Sequence, residues 1–419
     1  MISVRKTFLF IWGVLFVFSN VFISFFSQNI EGKLVLNILQ GVDFALISIF
    51  LIFVILKWFV VLKEDFLIKL LLANFVVVVI YYLYGLINNG FVHSSIYLRM
   101  LGYPFIMGVM GYWVGSVLSG LSVLRFLSFV GLFVAVFVIV EFTFPEILYY
   151  AINAPDFYKL KLDDGYMTLD YLIESRQRRI FNMPGMEHVM VFKPAGPTFN
   201  YPSTSYILVF GLISAFLIKS YLVFFLCLLA LMMLGTKAAL ACVLFVFISS
   251  CLFKFNFRFN VLILFVSGLF YALTSVLIMS LSNNIHIYSL MSSINHIGSN
   301  PLGKGLGWGG AATVERVVTW DYDMLVGDSG VAIALNMLGL FSVILFISYI
   351  VFLFNMADFF KKINNYEAFC FTGVGVAILS NSVLQELAIG PYGIGMVFFV
   401  IMIFYSNYKI RILGRGLDA

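Results

Sequence analysis

The sequence predicts an all-α polytopic membrane protein of about twelve transmembrane helices, and three observations carry that prediction. Hydrophobic residues make up 62% of the 419-residue chain and charged residues 11%, whereas a soluble domain carries about 25% charge. Apolar runs long enough to cross roughly 30 Å of hydrocarbon recur from near residue 7 to near residue 407. Only two long connections, 143–202 and 282–328, interrupt them. This composition excludes an ordinary soluble domain, and no nucleic-acid motif is present.

The first run, about 7–27, follows "MISVRK" and lacks a clear small-x-small cleavage site, so it reads as an uncleaved signal anchor with a cytoplasmic N-terminus. Four spans follow at about 38–62, 67–88, 99–119 and 123–142. Beyond the first long connection lie four more, at about 203–219, 220–234, 237–253 and 259–281. The last three sit at about 329–354, 367–386 and 390–407, so residues 1–419 form one integral membrane domain.

With the N-terminus inside, Arg5, Lys6, Lys57, Lys63, Lys69, Lys219, Lys254, Arg258, Lys361, Lys362, Lys409, Arg411 and Arg415 all fall on the cytoplasmic side. The positive-inside rule is thereby satisfied, and a basic inner face suits anionic membrane lipids. Both termini are then cytoplasmic and both long connections extracytoplasmic. The cysteines, Cys227, Cys242, Cys251 and Cys370, all fall within spans and read as small apolar packing residues, not a disulfide framework. Glu141, Asn381, Gln385 and Glu386 are the main polar residues near the spans, and they lie toward span ends.

Chemistry on such a chain belongs in the outer connections. The first is rich in aromatic and charged residues, and its stretch 166–182 predicts a surface helix ending in Arg176, Arg178 and Arg179. Those arginines, with Lys193 following, put cations on the normally cation-poor side, where guanidinium forks match phosphate. The alternative is a solvated loop balanced by Asp163, Asp164, Asp170 and Glu174. Glu187 and His188 follow, His188 alone fitting an interfacial or packed residue better than a catalytic one.

Three inward-running spans, starting near 203, 237 and 329, present their N-termini outward, each beside residues able to cap them: "PSTS", "GT" and "GDSG". In the second, Lys237 follows Gly235 and Thr236 within the apolar run 229–247. A lysine in the first turn of a helix favours an anion, while a lysine near a span end also snorkels to headgroups. The second connection contains "NPLGKGLGWGG", whose spacing fits neither a P-loop nor a dinucleotide fingerprint. Its Asp321 and Asp323 offer a D-x-D, and Asp328 fits a helix N-cap or a catalytic carboxylate. His286 and His296 lack partners at metal-ligand spacing.

Three of these segments resemble, in order, motifs of the O-antigen polymerase and ligase superfamily of bacterial envelope polysaccharide assembly. "FKPAGPTFNYPSTSYIL" resembles the family's R-x-x-G-x-f-x-N-P entry into a helix, "LMMLGTKAALA" its S-R-g-a-l turn, and "NPLGKGLGWGG" with "GDSGVAIALNMLGLFSVILF" its n-P-l-G-x-G-l-G loop and following helix. The resemblance spans about 190–350. The family's arginines fall on Lys193 and Lys237, which keep the charge but lose the fork. Asp328-Ser329 stands where the ligase branch carries His-Asn, which favours the polymerase branch.

The resemblance implies a GT-C-like transferase at the periplasmic face of the bacterial inner membrane, moving a growing glycan from undecaprenyl diphosphate onto the non-reducing end of another lipid-linked repeat. It implies that Lys193, Lys237, Arg176, Arg178, Arg179 and Arg316, with Asn200 and Thr236, hold the donor, and that Asp328, Glu187 or His188, in that order, takes the acceptor proton. No metal or other cofactor is expected, since the donor supplies the bond energy. Undecaprenyl-diphosphate-linked oligosaccharides are the implied partners, along with a chain-length regulator and a flippase. A ligase acting on lipid A core, and a lipid-linked-sugar transporter, are the competing readings.

Overall fold

The computed structural model describes residues 2–30, 32–49, 52, 65–162, 167–179, 190–255, 259–281, 285–310 and 329–413. Its helices in chain order are α1 (Ile2–Phe25), α2 (Lys33–Gln40), α3 (Phe66–Asn89), α4 (Phe91–Gly115), α5 (Gly120–Thr143), α6 (Pro145–Ala151), α7 (Ala154–Leu162) and α8 (Leu169–Ser175). After a two-stranded ladder, β1 (Gln177–Arg179) and β2 (Met190–Phe192), come α9 (Tyr201–Leu217), α10 (Tyr221–Leu234), α11 (Lys237–Lys254), α12 (Asn260–Leu281) and α13 (Ile285–Ser299). The chain ends in α14 (Gly330–Leu338), α15 (Phe341–Lys362), α16 (Tyr366–Asn381) and α17 (Met396–Leu413).

Among the described residues, six segments are long and apolar enough to cross a membrane: Phe66–Asn89, Gly120–Thr143, Lys237–Lys254, Asn260–Leu281, Phe341–Lys362 and Glu386–Lys409. Shorter apolar helices cover Phe10–Phe25, Tyr201–Leu217 and Tyr221–Leu234. About half of the expected span at 38–62 lies outside the described residues, and the described part turns at Gly41 before continuing as helix over 42–49. All four cysteines are unbridged, and all but half-buried Cys251 are buried, as packing residues should be.

Several expectations are corrected. The run 329–354 is two helices, because Gly339 takes a φ of +56° and packs so tightly that a β-carbon there would sit 2.2 Å from the Pro301 carbonyl oxygen. The run 166–182 is not one helix: α8 stops at Ser175, and the next residues pair antiparallel, Gln177 opposite Phe192 and Arg179 opposite Met190. A three-arginine stretch bounded by aromatic and apolar residues suits a ladder edge as well as a helix end, and periodicity cannot separate the two over so few residues. The second connection holds a helix, α13, whose Leu290 packs on Ala332 and Leu335 of α14. Finally, α16 ends at Asn381 and α17 begins at Met396, joined by a buried 3₁₀ turn, Glu386–Ile389, and a wound segment, Pro391–Gly395.

The described residues form two compact units, Met1–Ile47 with Leu121–Leu240, and Ser48–Gly120 with Ala241–Ala419. In the first, an apolar cluster lies beneath the first long connection, where Tyr149, Phe157, Leu172 and Phe199 pack with Val21 and Leu36. In the second, almost every residue of the C-terminal half of α4 is buried, and α4 lies against α17 so closely that a β-carbon at Gly111 would meet the Phe399 carbonyl at 2.2 Å. Backbones at that separation associate through dispersion, which is the main attraction left to helices in lipid.

Candidate functional site

The site grows from one carboxylate in the first unit. Glu141, fully buried on the last turn of α5, accepts the Tyr149 hydroxyl at 2.6 Å and the Ala195 N–H at 2.8 Å on Oε1, and the Gly196 N–H at 2.6 Å on Oε2. A buried charge is tolerated only when its lone pairs are filled, and here two backbone amides and a phenol fill them. The segment so gripped is "KPAGPTFNYP", residues 193–202.

Other contacts fix the rest of it. Asn20 of α1 donates to the Thr198 carbonyl at 2.6 Å and is itself oriented by Gln40 at 2.9 Å. The Tyr158 hydroxyl donates to the Phe199 carbonyl at 3.1 Å and accepts from Arg176 Nη2. The Thr204 hydroxyl donates to the Ala195 carbonyl at 2.6 Å, and Thr198 Oγ1 lies 2.8 Å from Thr204 Oγ1. Gly196 has a φ of +72°, and a β-carbon on it would stand 2.3 Å from Thr204 Cγ2, so only glycine fits. Phe199 holds a φ of +54°, a strained value for a phenylalanine that the surrounding contacts enforce.

This scaffolding delivers two of the expected ligands to the start of α9. Asn200 is the N-cap, its Oδ1 accepting the Ser203 N–H at 3.2 Å. The cap is therefore Asn200, not the "PSTS" serines. Lys193 stands beside it, with Nζ 3.9 Å from the ring centroid of Tyr201, the first residue of the helix. The Ser203 and Thr204 N–H groups are taken by Asn200 and Pro202 has none, so the attraction for an anion here rests on the Lys193 charge and the helix dipole.

Arg176 has a structural part. Its guanidinium carbon lies 5.6 Å from the Tyr149 ring centroid and 5.2 Å from that of Tyr158, and its main-chain carbonyl accepts the Lys193 N–H at 3.0 Å. It thus braces the connection internally. Burial, with the Glu141 charge adding to it, pushes the Tyr149 phenol well above its ordinary range, and burial also raises Tyr158 against the opposing charge of Arg176. Both phenols stay protonated donors.

The second expected turn is well formed. Gly235, at φ +59°, closes α10 with its N–H on the Leu231 carbonyl at 3.1 Å, and α11 opens on exposed Lys237. Thr236 between them is 7% exposed, and its hydroxyl has no hydrogen-bond partner among the described residues. It does not cap α11 with its side chain, as the sequence suggested.

In the second unit, the glycine loop is a backbone plug. Gly303, Gly305, Gly307 and Gly309 all take positive φ. The Leu306 N–H donates to the Tyr81 carbonyl at 3.1 Å, Asn89 Nδ2 donates to the Lys304 and Leu306 carbonyls at 3.0 Å each, and Ser94 donates to the Leu306 carbonyl at 3.0 Å. The loop lies against α14 as well, through the Gly305 N–H on the Met337 carbonyl at 3.0 Å. Lys304 Nζ sits 4.2 Å from the Trp308 ring centroid. Burial, with Lys304 nearby, lowers the His296 imidazole.

The N-cap of α14 is Ser329, accepting the Ala332 N–H at 3.2 Å, so the capping role assigned to Asp328 belongs to its neighbour. Asp328, Glu187, His188 and Arg316 lie outside the described residues, as do Asp321 and Asp323; of Arg178 and Arg179 only the backbone, in β1, is described. Among the described residues, no three His, Cys, Asp or Glu side chains converge as a metal site would require.

Sequence reasoning recorded Glu141 only as a polar residue near a span end, and it missed Tyr149, Tyr158 and Asn20. The available signal was a lone glutamate inside an otherwise apolar span, a position whose cost demands a partner. No family model, curated protein or solved structure matches this chain.

Proposed function

We propose that this chain is a membrane glycan polymerase of the O-antigen type, transferring a growing saccharide from undecaprenyl diphosphate to the end of another lipid-linked repeat. The finer topology belongs to the same reading: twelve spans, both termini cytoplasmic, and both long connections at the outer face of the bacterial inner membrane.

One observation carries the proposal. The buried Thr236 hydroxyl lacks a hydrogen-bond partner among the described residues and immediately precedes the 18-residue helix that opens on exposed Lys237. An unpartnered buried hydroxyl is costly, and at a helix N-terminus beside an ammonium it suits a phosphate oxygen. Lys193 and Asn200 at the start of α9 supply a second such end. Fixed cations of this kind stabilise the charge that develops on a departing lipid diphosphate. Asp328, Glu187 and His188 remain the proposed bases, with Arg178, Arg179 and Arg316 as auxiliary cations, while Arg176 positions the loop.

The test uses cells lacking the protein, complemented with wild type, Lys237→Ala, Lys237→Arg or Thr236→Val. Surface glycan is resolved on gels beside extracted lipid-linked intermediates. A polymerase gives single repeats on lipid A core in the null strain, copied by Lys237→Ala and reversed by Lys237→Arg. Accumulating long lipid-linked chains with no capped core would instead mark a ligase. Intermediates confined to the inner leaflet would mark a transporter.

A further inference from the structure

Behind the gripped loop, the first unit gathers two cations around one ring. Lys161 Nζ, on the last turn of α7, lies 5.9 Å from the ring centroids of both Phe157 and Tyr158, and the Arg176 guanidinium lies 5.2 Å from that same Tyr158 ring. Among the described residues, two carboxylates of this unit, Glu141 and Asp156, are already committed. Glu141 is filled by Ala195, Gly196 and Tyr149, while Asp156 pairs with Lys159 at 3.1 Å and accepts from Gln28 at 3.1 Å. Among the described residues, neither Lys161 nor Arg176 has an ion pair within 4 Å.

Arg176 also retains an unused donor. Its Nη2 serves Tyr158, but its Nε is buried without an acceptor. Guanidinium and ammonium charges brought together out of water repel each other and lack the hydrogen bonds that water would give. An oxyanion beside this ring answers both deficits, since its charge offsets the repulsion of Arg176 on Lys161 and its oxygens are the acceptors that the two cations lack.

We infer that Lys161 and Arg176 form a seat for an oxyanion, a phosphate or carboxylate group, distinct from the helix N-termini at Lys193 and Lys237. Arg176 contributes a buried Nε and is tied to Tyr158 and to the Lys193 N–H, so Lys161 is the member of the pair to substitute. Because the seat adjoins the segment 193–202 through Tyr158 and Phe199, its occupant sits where it stiffens that segment. The source of the oxyanion is the donor diphosphate, an acidic sugar of the saccharide, or a lipid headgroup. The inference goes beyond the transfer reading and stands without it, since the assay below needs only binding.

The experiment uses the full-length protein in nanodiscs of neutral phosphatidylcholine, followed by its thermal unfolding during titration with inorganic pyrophosphate, with glucuronate, and with glucose as the uncharged control. A parallel set replaces part of the lipid by phosphatidylglycerol. Pyrophosphate or glucuronate should stabilise wild type, glucose should not, and the apparent affinity should fall about tenfold in Lys161→Gln and return in Lys161→Arg. A Lys161→Gln/Lys237→Ala pair of single variants separates the two anion sites: the pyrophosphate effect should survive Lys237→Ala. Stabilisation by phosphatidylglycerol alone, lost in Lys161→Gln, identifies a headgroup as the occupant and supports the seat. Equal responses of wild type and Lys161→Gln to every anion, or no response of wild type to any of them, overturn it. If the seat holds while Lys237→Ala leaves glycan length unchanged in cells, the polymerase reading fails alone.

Discussion

The carboxylate of Glu141, on the last turn of a membrane-spanning helix, accepts a 2.6 Å hydrogen bond from the backbone N–H of Gly196, 55 residues further along the chain. That one contact ties the C-terminal end of α5 to the loop that starts α9. Replacing Glu141 by Gln keeps the shape but removes the charge, and turns an NH₂ group toward amides that need an acceptor. Charge-assisted hydrogen bonds contribute more than neutral ones, so Glu141→Gln is expected to lower unfolding free energy by roughly 2 kcal/mol. Thermal unfolding in detergent, with limited proteolysis of the connection 143–202, measures it. An unchanged midpoint and cleavage pattern would show that the loop is held by its other contacts.

Gly196 offers a complementary test, because a β-carbon there meets Thr204 Cγ2 at 2.3 Å and the backbone is left-handed. Gly196→Ala should destabilise, and Thr204→Ala should too, by removing the donor to the Ala195 carbonyl. The double variant should cost about 1 kcal/mol less than the singles added together, since the methyl clash is partly relieved. A strictly additive double-mutant cycle would mean that the backbone conformation, not the clash, excludes alanine.

Lys161 gives a pH dependence whose sign is fixed. Burial, then the charge of Arg176, lowers its ammonium to about 8, from 10.5 in the unfolded chain. Between those values the unfolded state binds more protons, so stability rises with pH across that window. Below about pH 8 both states are protonated and the penalty for the buried charge is fully present. Lys161→Met should flatten the rise, which unfolding midpoints measured from pH 7.5 to 10.5 would reveal. A rise of the same size in Lys161→Met would assign it to another group.

Much of this architecture is written in the sequence, and the parts that are not share a cause. Apolar length alone located α3, α5, α11 and α12 to within a few residues, because a span has one dominant requirement. The break at Gly339 escaped, since its reason is the loop backbone at Pro301, close to forty residues away. The same holds for the site. Lys237 is legible as a candidate because a cation at a helix start is a local pattern, whereas Asn200 enters through the family resemblance and its capping of α9 through the structure. Glu141 is not legible in this way, because its meaning depends on Ala195 and Gly196 arriving beside it. Arg176 belongs in sequence to a run of arginines and in space to Tyr149 and Tyr158, a pairing that no local pattern encodes.

In the second unit, Asp65 presents a buried ion pair with a definite hierarchy. It caps α3 by accepting the Leu67 N–H at 3.0 Å, and its Oδ2 also accepts the Tyr405 hydroxyl at 3.0 Å and meets Lys409 Nζ at 2.5 Å. Asp65 is 4% exposed on its side chain and Lys409 33%, so the two partners respond differently to losing each other. Lys409→Met leaves a buried carboxylate with only neutral donors, the costlier error, whereas Asp65→Asn leaves an ammonium that still reaches water and keeps the cap. Lys409→Met is therefore expected to cost about 2–3 kcal/mol, at the low end for a broken buried pair because of the lysine's exposure, and Asp65→Asn less. Adding Asp65→Asn to Lys409→Met should recover part of the loss, since the uncompensated charge disappears. Midpoints of the three variants measured together decide it. If the double variant is less stable than Lys409→Met, the carboxylate is worth more as a cap and a tyrosine acceptor than it costs as an unpaired charge, and the attachment of α17 to α3 rests on Tyr405, not on the ion pair.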